Sequence, residues 1–134
     1  MSTTVTLERP ESAELADLFV AVGWGPQSRE VLESSIRAYT ATVCARMPPG
    51  RLVGYASVFS DRCLTTMFGE FVVHPEFRHQ GIGKAMMRLV ELHFPRAHIY
   101  VKALGDSVGF YRALGFRASS APVTSMFKQP SEGG

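Results

Sequence analysis

The stretch Arg78-His79-Gln80-Gly81-Ile82-Gly83-Lys84-Ala85 follows the run Phe68-Gly69-Glu70-Phe71-Val72-Val73-His74-Pro75-Glu76-Phe77, and the junction decides how the chain is read. Leu64 to His74 is an extended, β-prone segment that Pro75 ends, because proline cannot donate to a sheet ladder. From Gly81 to about Phe94, Ile82, Met86, Leu89, Val90 and His93 recur at helical spacing as an inner face. A strand therefore feeds a helix through a glycine-containing turn. Such a turn presents several N–H groups that have no intrahelical partner, under the positive end of the helix dipole. Glycine lets a ligand approach the main chain closely. Arg78, His79, Lys84 and Arg88 surround a helix end where cations are unfavourable, and Glu76 is the only nearby acid. An anion bound there reverses that penalty, which points to a phosphate or pyrophosphate over a merely solvated basic turn.

Two familiar phosphate loops are excluded. A dinucleotide fingerprint needs a third glycine where Met86 stands. A Walker A loop needs Ser or Thr where Ala85 stands, and a glycine five residues before Gly83.

Working outward, Thr4 to Pro10 alternates as a short strand, and Leu15, Leu18, Phe19 and Val22 mark a helix that Ser12 caps. Ser28 caps a second helix to about Tyr39, with Val31, Leu32, Ser35 and Ile36 inward. Strands follow at Thr40–Met47 and Leu52–Ser60, separated by the turn Pro48 to Arg51. After the long helix come a strand within 97–104, a short helix within 106–114 closed by a left-handed Gly115, and strands at 116–120 and 124–128. The expected fold is an α/β domain with flanking helices around a mixed, mostly antiparallel sheet of six to seven strands, with a crossover at the long helix. It forms a single domain over 1–134, with a mobile tail at 129–134.

The 134 residues are 46% hydrophobic and 19% charged, with a formal net charge of +2, which gives no bulk attraction for nucleic acid. No apolar run is long enough for a membrane span, and the start lacks a secretory pattern, so the expected compartment is the cytoplasm. Cys44 and Cys63 lack CxxC spacing and read as two buried thiols. The histidines and cysteines show no metal-ligand spacing, and no metal is expected.

Arg78-x-x-Gly81-x-Gly83 resembles the acyl-CoA signature of GCN5-related N-acetyltransferases, and Gly109 to Phe116 (GFYRALGF) resembles that family's later FY-x-x-x-GF element. The order of elements from Val5 to Phe127 is similar to that fold throughout. The resemblance implies acyl transfer, usually acetyl, from CoA to an amine, here a small molecule. It implies that the strands on either side of the long helix splay apart, with pantetheine against the main chain of Phe71, Val72 and Val73. It places the pyrophosphate on the N–H groups of His79, Gln80, Gly81, Ile82, Gly83 and Lys84, beside Arg78. Tyr111 matches the residue that protonates the departing CoA thiolate in many relatives. An Asn of many relatives is replaced by Leu104, which removes a side-chain amide contact to CoA. Homodimers are frequent in the family.

Chemistry adds a second requirement, because an ammonium has no lone pair and must lose a proton before it attacks. Glu70 lies where relatives often carry an acid, and a carboxylate in an apolar strand is costly unless it is paired or faces a cleft. It stands as base or cation attractor, beside the alternatives of an ordinary ion pair, of His74 as base, and of water. Trp24, the only tryptophan, is a candidate wall of the acceptor pocket or a packing residue, with Phe68 and Tyr55 as further lining. The competing functional readings are an acyl-CoA sensor without turnover and a basic module that binds nucleic acid through Arg78 to Arg88.

Overall fold

A computed structural model describes residues 2–131. Two compact units make up the chain, Met1–Lys102 and Ala103–Gly134.

The first unit is a five-stranded sheet in chain order: β1 (Thr4–Leu7), β2 (Ala41–Met47), β3 (Arg51–Ser60), β4 (Thr65–Val73) and β5 (His98–Tyr100). β1 to β4 pair antiparallel, and β5 returns parallel to β4 after the crossover helix α3 (Ile82–His93). The helices α1 (Ser12–Ala21) and α2 (Arg29–Ala38) lie between β1 and β2 in the chain.

Alternation along the strands builds two cores on opposite faces of the sheet. Leu15, Leu18, Phe19, Leu32 and Ile36 of α1 and α2 pack on Cys44, Leu52, Tyr55 and Val72. Ile82, Met86 and Val90 of α3, with Phe94, pack on Val43, Ala45, Val53, Ala56 and Val58. β3 is buried from Leu52 to Val58, as expected of a central strand covered on both sides. Arg46 ties the first elements together, through Glu8 at 2.8 Å and Glu14 at 2.7 Å.

Several expectations are corrected. The sheet has five strands, because 116–120 and 124–128 are not strands in this structure. Met126 and Phe127 are strongly exposed, so the second of these stretches lacks the buried face that would fix it as strand. The cap of α1 is Glu11, whose N–H donates to Glu14 Oε2 at 3.0 Å; Ser12 is turned inward and donates to Glu33 Oε1 at 3.2 Å. Val31 is exposed, leaving Leu32 and Ile36 as the buried face of α2. His93 is exposed as well, with Nδ1 3.0 Å from the Leu89 carbonyl oxygen; Met87 and Phe94 are the buried residues in its place. Cys44 is buried, but Cys63 is exposed in the β3–β4 turn.

In the second unit, a 3-10 turn (Gly105–Ser107) leads into α4 (Val108–Ala113). Gly115 adopts φ +94, the left-handed conformation expected past that helix. Residues 129–131 have no regular structure, and the rest of the expected tail, 132–134, lies outside the described residues.

Candidate active site

β4 carries Glu70, and a β-bulge positions it. Val58 pairs with Phe68 and Ala56 with Phe71, so Ser57 alone stands opposite both Gly69 and Glu70. The Ser57 hydroxyl accepts the Glu70 backbone N–H at 2.8 Å and donates to Glu70 Oε1 at 2.9 Å. Tyr39, which ends α2, donates its hydroxyl to Glu70 Oε2 at 2.8 Å. The carboxylate is thus held at both oxygens by side chains from two other elements.

Gly69 is what admits Tyr39. A Cβ at position 69 would overlap Tyr39 Oη and the ring carbons beside it. Tyr39 is nearly buried and stacks on Phe59, with ring centroids 4.4 Å apart, so it has little room to yield. Burial raises its pKa, and the neighbouring carboxylate adds to the effect, which keeps the phenol protonated as a donor. Tyr55 lies fully buried nearby; burial first, then the Glu70 charge, push its pKa up.

Glu70 closes one side of a concavity of about 200 Å³ on the α1/α2 face. Phe19, Trp24, Val31 and Leu32 form its apolar wall, with Ser35 at the α2 side. The Trp24 ring packs on Phe19 at 4.8 Å between centroids. Trp24 therefore packs on Phe19 and also lines the concavity that Glu70 lines. Tyr55 and Phe68 do not line this concavity; Tyr55 is in the core on the α1/α2 side, and Phe68 packs on the α3 side.

His74 serves the turn that follows β4. Its Nδ1 lies 3.1 Å from the Glu76 N–H and its Nε2 3.2 Å from Arg51 Nη2. Both partners are donors and a neutral imidazole has one acceptor nitrogen, so the two contacts compete for a single lone pair.

Beyond Phe77 the chain enters the glycine turn. His79 and Gly81 both have positive φ, +64 and +82, and Arg78 Nε donates to the Val73 carbonyl oxygen at 3.1 Å. Gly81 is the N-cap of α3, without a side-chain cap, and the first turn holds no acid. Space around Gly81 is open, so conformation rather than crowding selects glycine there. The N–H groups at the start of α3 thus lack both a helical partner and a capping side chain, the arrangement of an anion-binding concavity. Gly83 is buried in the helix, while Lys84 and Arg88 are exposed on it. The β4–β5 ladder covers only Thr65–Met67, and β5 stops at Tyr100 while β4 runs on to Val73.

In the second unit, Tyr111 of α4 is buried, with ring contacts to Phe110 at 5.1 Å and Phe116 at 5.5 Å. Burial raises its phenol above the ordinary value. Leu104 is exposed, and its carbonyl oxygen accepts the Ser107 hydroxyl at 2.7 Å.

The family model of the acetyltransferase (GNAT) domain matches residues 37–118, which span this turn, β2 to β5 and the Tyr111 helix. The chain is a GNAT acetyltransferase. It is 28% identical over 124 residues to an uncharacterized N-acetyltransferase, ycf52, of Porphyra purpurea, covering 87% of this chain and 71% of that one. It is 34% identical over 83 residues to the chloroplastic GCN5-related N-acetyltransferase 2 of Arabidopsis thaliana, covering 60% of this chain and 32% of that one. Among solved structures, a Staphylococcus aureus protein described as a probable acetyltransferase superposes with a TM-score of 0.85 at 19% identity, over 96% of this chain and 100% of that one. That last likeness concerns the fold.

For this GNAT enzyme the sequence missed Tyr39 and Ser57 as partners of Glu70. A signal for the bulge was present, since a glycine inside a strand pattern marks a bulge or a close approach. Nothing in the sequence shows which aromatic approaches Gly69. Among the described residues no group of three or more His, Cys, Asp or Glu side chains gathers at metal-ligating range, and no helix is long and apolar enough to cross a membrane.

Proposed function

We propose that this GNAT acetyltransferase moves an acetyl group from acetyl-CoA to a primary amine of a small molecule, by direct attack in a ternary complex. The observation that carries the reading is the Glu70 carboxylate, held by Ser57 and Tyr39 at the wall of a concavity. The strand that holds it runs on into the positive-φ turn.

The turn fits a pyrophosphate: uncapped N–H groups from His79 to Lys84 face an anion, with Lys84 and Arg88 exposed on the helix they open. Phe71, Val72 and Val73 take the pantetheine arm, as the family likeness suggests. Glu70 lies two residues before Val72, about 7 Å along the strand, which brings donor and acceptor within reach of one another. Glu70 accepts the proton of the ammonium, directly or through water, and frees its lone pair. The amine nitrogen then bonds to the thioester carbonyl carbon. When the tetrahedral intermediate collapses, the C–S bond breaks and the thiolate takes a proton from the Tyr111 phenol, the role that the family likeness gives this residue; the amide nitrogen loses its second proton to solvent, which restores the phenol. A raised pKa suits that role, because it keeps the phenol protonated at neutral pH.

Incubation with acetyl-CoA and a panel of arylalkylamines, polyamines, amino sugars and lysine derivatives, following thiol release, tests the reading. Amine-dependent release is expected. Absence of acetyl-CoA binding by calorimetry overturns it.

A further inference from the structure

We propose that the concavity on the α1/α2 face selects an arylalkyl monoamine, an acceptor with one ammonium group on a short arm and one aromatic ring. The inference rests on the transfer reading above and names the acceptor class for that site.

Charge sets the first limit. Among the described residues Glu70 is the only acid lining the concavity, and beside the neutral Gln27 and Ser35 the rest of its wall is apolar. A polyamine or an amino sugar with several ammonium groups would leave the surplus cations against Phe19, Trp24 and Val31, where an unpaired charge is costly. One cation is matched, and more than one is penalised.

Glu70 retains the capacity for that cation. Ser57 and Tyr39 each donate one hydrogen bond to one carboxylate oxygen. A carboxylate offers about four lone-pair sites, so each oxygen can still accept from an ammonium. Both hydroxyls also pin the plane of the carboxylate, which fixes the direction from which the ammonium is received.

The wall sets the second limit. Trp24 is 44% exposed and Val31 is 56% exposed, two large apolar side chains that both face water and line the same hollow. Exposed apolar surface gathered around one charged group is the pattern of a ligand site rather than of packing. An aromatic ring seated against Trp24 and Val31 removes apolar surface from both. An acceptor with a hydroxylated body finds only Gln27 and Ser35 as neutral hydrogen-bonding side chains in the lining, so most of its hydroxyls give up their hydration without replacement.

Volume sets the third. About 200 Å³ lies below the range of about 300–1,000 Å³ usual for drug-sized ligands, so it holds one ring and a short arm.

Trp24 is the only tryptophan in the chain, so its fluorescence reports on this site independently of turnover. Titration of the full chain with 2-phenylethylamine is expected to change the emission saturably. Spermidine and Nα-acetyl-lysine amide at the same concentrations are not, and Glu70→Gln weakens the response by about tenfold or more. In acetylation assays kcat/KM for 2-phenylethylamine should exceed that for spermidine and the lysine derivative by about tenfold or more. Trp24→Ala should raise KM for 2-phenylethylamine by about tenfold with kcat little changed, the signature of lost uniform binding. Val31→Glu, at an exposed helix position where folding is not at stake, adds a second carboxylate and should shift preference towards putrescine by about tenfold. Saturable fluorescence without acetylation of any amine supports the amine site and overturns the transfer reading. Acetylation that prefers spermidine or the lysine derivative, with no fluorescence response to 2-phenylethylamine, overturns the inference and leaves transfer standing. Unchanged KM and amine preference in both Trp24→Ala and Val31→Glu also overturns it.

Discussion

Tyr39 reaches Glu70 only because Gly69 has no side chain: a Cβ there would overlap the phenol whose hydroxyl donates the 2.8 Å hydrogen bond. A helix end, a bulge and a carboxylate are locked together at this point.

Gly69→Ala should therefore destabilise the protein by about 1–3 kcal/mol, the usual cost of overpacking a site that cannot relax. Urea unfolding measures it. In a Tyr39→Ala background the same substitution should cost much less, and that non-additivity identifies Tyr39 as the obstacle. Equal costs in both backgrounds would mean that the glycine serves the backbone alone.

Glu70→Gln keeps the shape of the side chain and removes the proposed base. A fall in kcat of about 10²–10⁴-fold is expected in the thiol-release assay. Tyr39→Phe leaves the carboxylate in place but releases one oxygen. Its expected effect on kcat is smaller than that of Glu70→Gln, because the carboxylate remains and only its orientation is loosened.

Gly81→Asp places a carboxylate at the cap of α3, next to the N–H groups assigned to the pyrophosphate. Asp is among the residues that tolerate positive φ, so the fold should survive. The Kd for acetyl-CoA measured by calorimetry is expected to rise by about 100-fold, in the range set by losing several charge-assisted hydrogen bonds. An acetylated pantetheine without the diphosphate should bind both proteins alike. Unchanged acetyl-CoA affinity would remove the turn from the site.

Stability should fall at both ends of the pH range. Glu14 is held below the usual carboxylate value by its hydrogen bond to Arg46, so its contribution is present above the unfolded value of 4.5 and is lost as pH falls through the folded one. Cys44 behaves in the opposite sense: burial pushes its thiol from 9.0 up to about 12. The folded state then holds a proton that the unfolded chain gives up, so stability is full below pH 9.0 and is lost as pH rises towards 12. Tyr111 and Tyr39, raised from 10.0 by burial, act in the same direction. Thermal melts across pH measure both limbs, and Cys44→Ala should flatten the start of the alkaline one.

Much of this was legible in the chain. The strand–turn–helix junction at Val73 to Ile82 is marked by Pro75 and Gly81, residues whose backbone limits are local, and its form follows from them. The apolar spacing of Leu15, Leu18 and Phe19, and of Met86 and Val90, marks buried faces because each is set by its own helix. What failed depended on partners. Val31 has the spacing of a buried residue but faces the concavity, and His93 gives way to Phe94 where α3 ends. The stretches 116–120 and 124–128 read as strands, but a strand needs a neighbour to pair with, and pairing is not written in its own residues. Glu70 could be named from its setting. Its restraint by Tyr39, thirty-one positions away, is a tertiary fact.

The bulge has a consequence for how such an enzyme can change. Glu70 shares its place opposite Ser57 with Gly69 and belongs to no one-to-one pair of the β3–β4 ladder, which resumes in register at Phe71. A substitution at position 70 therefore leaves every neighbouring rung intact. The strand pairing would survive an exchange there while Tyr39 and Ser57 would lose the carboxylate to which both donate, so the cost of changing this residue falls on the side chains that hold it and not on the architecture.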